Sequence, residues 1–108
     1  MAETLRAGIK GGAAVKVCAE NTALAMGSGE LEVFATPALA ALVEKAAVQA
    51  VAGCLGADET TVGTRIVIDH VSATPVGMEV RCEAELVALE GRKLVFRAEV
   101  FDTAGLVG

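Results

Sequence analysis

Aromatic side chains are scarce in this chain: it has no Trp, no Tyr and three Phe in 108 residues. A surface built to stack nucleobases is therefore disfavoured. Positive charge is also short, with nine Lys and Arg against fourteen Asp and Glu and a formal net charge of −5. Without a basic cluster, nucleic acids and anionic membrane surfaces are disfavoured as partners. The chain has one histidine and three cysteines (Cys18, Cys54 and Cys82), with no C-x-x-C spacing among them. An odd cysteine count and a single His supply neither a disulfide framework nor a zinc ligand set, so no metal is expected. Reduced thiols fit a cytoplasmic location. Met1 to Lys10 holds no long apolar run, and no stretch of 18 uninterrupted apolar residues exists, so neither a secretory signal nor a membrane span is expected. G-x-S-x-G elbows and P-loops are missing as well.

What remains is a chain that is 54% hydrophobic, mostly Ala, Val and Leu. Its length is that of one domain, 1–108, without repeats or linkers. A core of small side chains buries modest area per residue, which favours a shared interface and an oligomer. Thr36 suits a helix N-cap, and Pro37 suits the first helical position. The run from Ala38 to Ala52 carries only Glu44, Lys45 and Gln49 as polar residues, and Gly53 or Gly56 can stop it. A helix this apolar all round is expected to be wrapped on most sides.

The second half supplies the wrapping. From Met78 to Ala88, Val80, Cys82, Ala84 and Leu86 alternate with Glu79, Arg81, Glu83 and Glu85. From Lys93 to Phe101, Leu94, Phe96, Ala98 and Val100 alternate with Lys93, Arg97 and Glu99. Both runs predict strands with one buried face, joined through Glu90-Gly91-Arg92 as a hairpin. Further strands are expected over Gly63–Ser72 and Ala13–Ala19. Leu106-Val107, after a turn over Asp102–Gly105, reads as the opening of another that is cut off. A curved antiparallel sheet wrapped around one long apolar helix is an α+β arrangement, the hotdog fold, whose domains usually pair by joining their sheets.

Four positions stand out for chemistry. Glu44 has Ala40, Ala41, Ala47 and Val48 as helical neighbours, so its carboxylate is expected to leave water, at a cost unless it finds a partner. His70 shares strand parity with Ile66 and Ile68 and points to the apolar side, as an acid–base group or as a core histidine bonded to a carbonyl. The Thr36 hydroxyl either caps the helix or faces a site at the positive end of the helix dipole. Gly63 either opens a strand or lets a substrate approach its N–H closely.

Val33-Phe34-Ala35-Thr36, Glu44, Gly63-Thr64, His70, Ala73-Thr74-Pro75-x-Gly77 and the Glu85-Leu86…Glu90-Gly91-Arg92 hairpin together resemble the fluoroacetyl-CoA thioesterase-like branch of the hotdog thioesterases. The likeness runs from about Glu32 to the end, and the spacings Thr36 to Glu44 and Glu44 to His70 match the family's Thr–Glu–His constellation. The resemblance implies hydrolysis of a small acyl-CoA thioester without a metal or added cofactor, coenzyme A being part of the substrate. It implies Thr36, Glu44 and His70 as catalytic residues, Gly63 and Thr64 at the substrate, and a homodimer that sometimes pairs into a tetramer. Two features depart from the family. Leu24 to Glu30 is small and polar where the fluoroacetyl-specific enzyme has an aromatic-rich lid, and the family continues beyond the position of Gly108 with one more strand. A non-catalytic hotdog module that binds a CoA ester is the main alternative. A hydratase is disfavoured because adjacent Asp69 and His70 face opposite sides of a strand.

Overall fold

The computed structural model describes residues 5–108. Its centre is an antiparallel sheet of four strands in the order β1 (Lys10–Lys16), β2 (Glu79–Glu90), β3 (Lys93–Asp102) and β4 (Gly105–Leu106). Alternation decides which face is buried: Val80, Cys82, Ala84 and Leu86 point inward, while Glu79, Arg81 and Glu83 stay exposed. The outer face carries opposite charges in register, with Lys10 facing Glu85 and Glu85 facing Arg97. β2 and β3 close through a two-residue loop in which Gly91 takes φ 62°, a backbone conformation that other residues seldom adopt. The register slips once, between Leu86 and Ala88, leaving Val87 as a bulge.

Before the main helix come a 3-10 turn at Ala19–Asn21 and a one-turn helix α1 (Ala23–Met26), capped by the Thr22 hydroxyl, which accepts from Ala25 N–H. Helix α2 (Thr36–Val51) then lies across β1 and β2 and ends in a 3-10 turn at Ala52–Cys54. With that turn it is long and apolar enough to cross a membrane, but Leu39, Leu42, Ala46, Ala50 and Val51 form a stripe buried on the sheet, as in a core helix. The helix touches β1 backbone to backbone. A Cβ placed on Gly11 would lie 2.5 Å from Ala50 Cα, so only glycine fits there. The Gln49 side chain accepts from Gly12 N–H at 3.1 Å.

Several expectations are corrected. Within the described residues the sheet covers only one side of α2; Ala41, Glu44 and Val48 on the other side are exposed. The helix cap is Ala35 and makes no side-chain cap bond, so Thr36 is a first-turn residue and not the cap. The expected strand over Gly63–Ser72 has the right alternation but no ladder partner among the described residues. Its backbone ties to the sheet side only where Val71 and Ser72 N–H donate to Val107 carbonyl. A strand needs a neighbour to receive its N–H and C=O groups, and periodicity does not supply one. β1 begins and ends three residues before the expected 13–19.

Candidate functional site

Thr36 owes its availability to the local start of the helix. Because Ala35 occupies the cap position, the Thr36 hydroxyl is not drawn into bonding the first-turn amides. It is instead hydrogen-bonded to His70 Nδ1 at 2.8 Å, across 34 residues of sequence. The other ring nitrogen, His70 Nε2, is buried and has no hydrogen-bond partner among the described residues. His70 is thus half-buried and is held through a side chain, unlike the core histidine bonded to a carbonyl that its apolar neighbours also allowed.

Backbone bonds hold the two arms of this pair. Ala35 N–H donates to Asn21 carbonyl and Phe34 N–H to Thr74 carbonyl, both at 2.9 Å, which sets the approach to Thr36. Val71 N–H donates to Val107 carbonyl at 2.8 Å, directly after His70. An open cavity of about 270 Å³ lies over the pair, lined by Ala23, Ser28, Val33 and Phe34 beside Thr36 and His70. A hollow of about 440 Å³ lies elsewhere, on the outer sheet face between Lys10, Gly12, Glu83, Glu85, Arg97 and Glu99; none of the four positions singled out for chemistry lines it. Gly12 leaves that notch between charged cross-strand neighbours.

Glu44 does not join the pair within one chain. It lies eight residues along the same helix from Thr36, a rise of about 12 Å. Glu44 is exposed, contrary to the expected burial, because among the described residues no helix or strand covers that face of α2. It instead meets Gly63: a Cβ built there would lie 2.5 Å from Glu44 Oε2. The absence of a side chain on Gly63 is what lets the carboxylate approach the backbone. Thr64 is exposed beside it and takes part in no side-chain hydrogen bond among the described residues. The chain therefore carries two clusters, Thr36 with His70 and Glu44 with Gly63.

Sequence reasoning missed Ser28, which lines the cavity from the small segment after α1, and the pair Thr74–Asp102. The Thr74 hydroxyl, fully buried, donates to Asp102 Oδ2 at 2.7 Å. That bond, helped by Ala104 and Gly105 N–H, holds the Asp102 carboxyl below its ordinary 3.8. The Asp102–Gly105 turn was legible; its link to Thr74, 28 residues away, was not. Cys82 sits on the inner sheet face, where burial first and Glu83 second push its thiol up to about 11.

A family model of fluoroacetyl-CoA-specific thioesterases matches residues 17–108. The chain belongs to this family. A fluoroacetyl-CoA thioesterase of Streptantibioticus cattleyicolor is 42% identical over 77 residues, 71% of this chain; the chain spans 55% of that relative's length. A solved structure of the fluoroacetyl-CoA thioesterase superimposes with TM-score 0.89 at 33% identity, over 97% of this chain and 82% of the other. A Phe→Ala variant of that enzyme in complex with fluoroacetate and CoA superimposes with TM-score 0.88 at 32% identity, over 95% and 87% of the two chains. A hot-dog-like protein from Thermanaerovibrio acidaminovorans, 20% identical, shares the fold with TM-score 0.82, over 94% and 75% of the chains. The expected α+β hotdog architecture is thereby borne out, as is the family resemblance read from Glu32 onward.

Proposed function

We propose that the chain is an acyl-CoA thioesterase domain acting on a small acyl group, with Thr36, His70 and Glu44 as its working side chains. The observation that carries this is the 2.8 Å bond between Thr36 and His70 Nδ1 under an open cavity. With Nδ1 unprotonated, the Thr36 hydroxyl donates to it, and the imidazole can take the proton as the oxygen attacks a carbonyl carbon. The new C–O bond forms as the carbonyl opens to an oxyanion. Collapse breaks the C–S bond, releases the coenzyme A thiolate, and leaves the acyl group on Thr36 for water to hydrolyse. A thiolate leaves readily, so aligning the attacking oxygen is the main demand on the protein.

Glu44 enters through a homodimer. Val62 and Val67 are 80% and 74% exposed on a segment without a ladder partner. An open strand edge of this kind is satisfied by pairing with a second copy. Antiparallel pairing about a two-fold axis between Ile66 and Val67 sets Gly63 of one chain opposite His70 of the other. Glu44, held beside Gly63, then comes to the Thr36–His70 pair of the neighbouring protomer. There its carboxylate can hold or activate the hydrolytic water, with the backbone near Gly63 and Thr64 facing the thioester oxygen. The small lining, Ala23, Ser28 and Val33, together with the absence of aromatics from Leu24 to Glu30, fits acyl groups beyond fluoroacetyl.

The test is release of free thiol from a panel of short, branched and aromatic acyl-CoAs. Thr36→Ala, Glu44→Ala and His70→Ala are each expected to lower kcat by roughly 10²–10⁴ with folding intact. Protection of the fold by CoA esters with no hydrolysis by the wild type would establish the binding module in place of the enzyme. Mixing Glu44→Ala with His70→Ala protomers should restore part of the activity, because one site of the mixed dimer keeps all three groups. No recovery at a measured mixed-dimer fraction would place the site within a single chain.

A further inference from the structure

Thr74 is fully buried and polar, while Ala73, Pro75 and Val76 beside it are exposed. A buried hydroxyl is costly unless bonded, and this one is satisfied by Asp102 Oδ2 at 2.7 Å. The backbone carbonyl of Thr74 accepts Phe34 N–H at 2.9 Å. Phe34 lies two residues before Thr36, and His70 lies four residues before Thr74. One residue therefore ties together the arms that present the two members of the pair.

Asp102 holds the His70 arm a second time. Its Oδ1 accepts Ala104 N–H at 2.8 Å and Gly105 N–H at 3.1 Å, which turns β3 back into β4. β4 leads directly to Val107, itself buried, whose carbonyl receives Val71 N–H at 2.8 Å and Ser72 N–H at 3.3 Å. One carboxylate oxygen thus fixes the segment at Thr74 and the other fixes the strand that grips it at Val71. A carboxylate with both oxygens engaged resists rotation, and the His70 ring is anchored between the Thr36 hydroxyl and this twice-held backbone.

From this geometry we infer that Thr74 and Asp102 are positioning residues that set the distance between Thr36 Oγ1 and His70 Nδ1, a role whose kinetic consequence rests on the thioesterase reading above. Neither touches the pair; they act through the backbone of residues 71–74 and 34–36. Small displacements of an attacking group cost rate steeply, so the clamp should show in turnover before substrate binding.

The chain's single histidine yields one set of imidazole ¹⁵N signals, and these report the Thr36–His70 bond directly. Thr74→Val keeps the branched shape and removes the hydroxyl. Expected are altered His70 ¹⁵N shifts and a kcat about tenfold lower or worse with KM within about twofold, both restored in Thr74→Ser. A lower Tm with wild-type His70 shifts and wild-type kcat would overturn the inference, leaving Thr74 a stability residue only. Should Thr74→Val fail to fold, Asp102→Asn is measured the same way: the amide oxygen still accepts the turn N–H groups, but its NH₂ meets the Thr74 hydroxyl. Smaller changes in the same direction are expected there, and unchanged His70 shifts overturn the inference equally. If the wild type hydrolyses no acyl-CoA, the thioesterase reading fails while the imidazole signals still decide the clamp.

Discussion

The two sides of helix α2 follow different rules. On the sheet side, Leu39, Leu42, Ala46 and Ala50 are buried and the backbone of Ala50 rests on Gly11 with no room for a methyl group. On the other side, Ala41, Glu44 and Val48 are exposed, with Val48 at 49%, and Gly63 lies against the tip of the Glu44 carboxylate. Both sides use a glycine to permit close approach, for opposite ends. Gly11 makes room for a rigid backbone contact that holds the fold, and Gly63 makes room for the tip of the Glu44 carboxylate, to which the proposed function gives a role. On the proposed reading, stability and chemistry belong to separate faces of one helix, so they should respond to different substitutions.

The sharpest way to break this separation is to empty the packed side. Leu42→Ala, on the buried stripe of α2 and in the core cluster, should cost about 2–5 kcal/mol in denaturant unfolding, with the activity of the remaining folded protein unchanged. Overfilling the same side should do somewhat less. Gly11→Ala forces a Cβ into the Ala50 backbone and is expected to cost about 1–3 kcal/mol, again measured by unfolding. On the open side the sign of the comparison reverses. Gly63→Ala meets only the tip of the Glu44 carboxylate, so the stability change should stay within about 0.5 kcal/mol. Turnover should nevertheless fall about tenfold, as the displaced carboxylate loses its alignment; equal activity would detach Gly63 from the site.

The smallest effect expected is acid-dependent. The Thr74 hydroxyl first, then the Ala104 and Gly105 amides, hold the Asp102 carboxyl below its ordinary 3.8 in the folded protein. A lowered folded value means that its stabilisation is complete above the unfolded value and is lost as pH falls below about 3.8 through the folded one. Comparing wild type with Asp102→Asn by thermal unfolding, the wild-type advantage at neutral pH should narrow in that acid window. An unchanged gap would mean that the bond to Thr74 does not favour the ionised form.

The most legible elements were those whose partners lie close in sequence. β2 and β3 alternate over most of their length, apart from the bulge at Val87, and are joined by a two-residue loop, so strand, face and hairpin were readable from local pattern. The helix was readable too, since Pro37 and the apolar run that follows bound it. Its cap was misread because Thr is a good cap in isolation, whereas here the Thr36 hydroxyl has a better partner in His70. The Gly63–Ser72 segment finds no ladder partner among the described residues of one chain for the complementary reason: alternation describes a residue's faces and says nothing about which edge, in which copy, pairs with it. Burial of Glu44 was inferred from apolar helical neighbours, but of these Ala41 and Val48 are exposed with it on the open side and Ala40 and Ala47 are only half-buried.

By itself, then, the sequence determined the α+β order of elements, the inward face of the meander, and the identities of Thr36, Glu44, Gly63 and His70. Only the tertiary structure decided that these four form two pairs, that Thr36 bonds His70 rather than capping its helix, and that Thr74 and Asp102 tie the arms together. The physical reason is range. Propensity, alternation and turn chemistry act over a few residues, whereas each of these pairings joins residues at least 19 positions apart, and such contacts exist only once the sheet and the helix have packed.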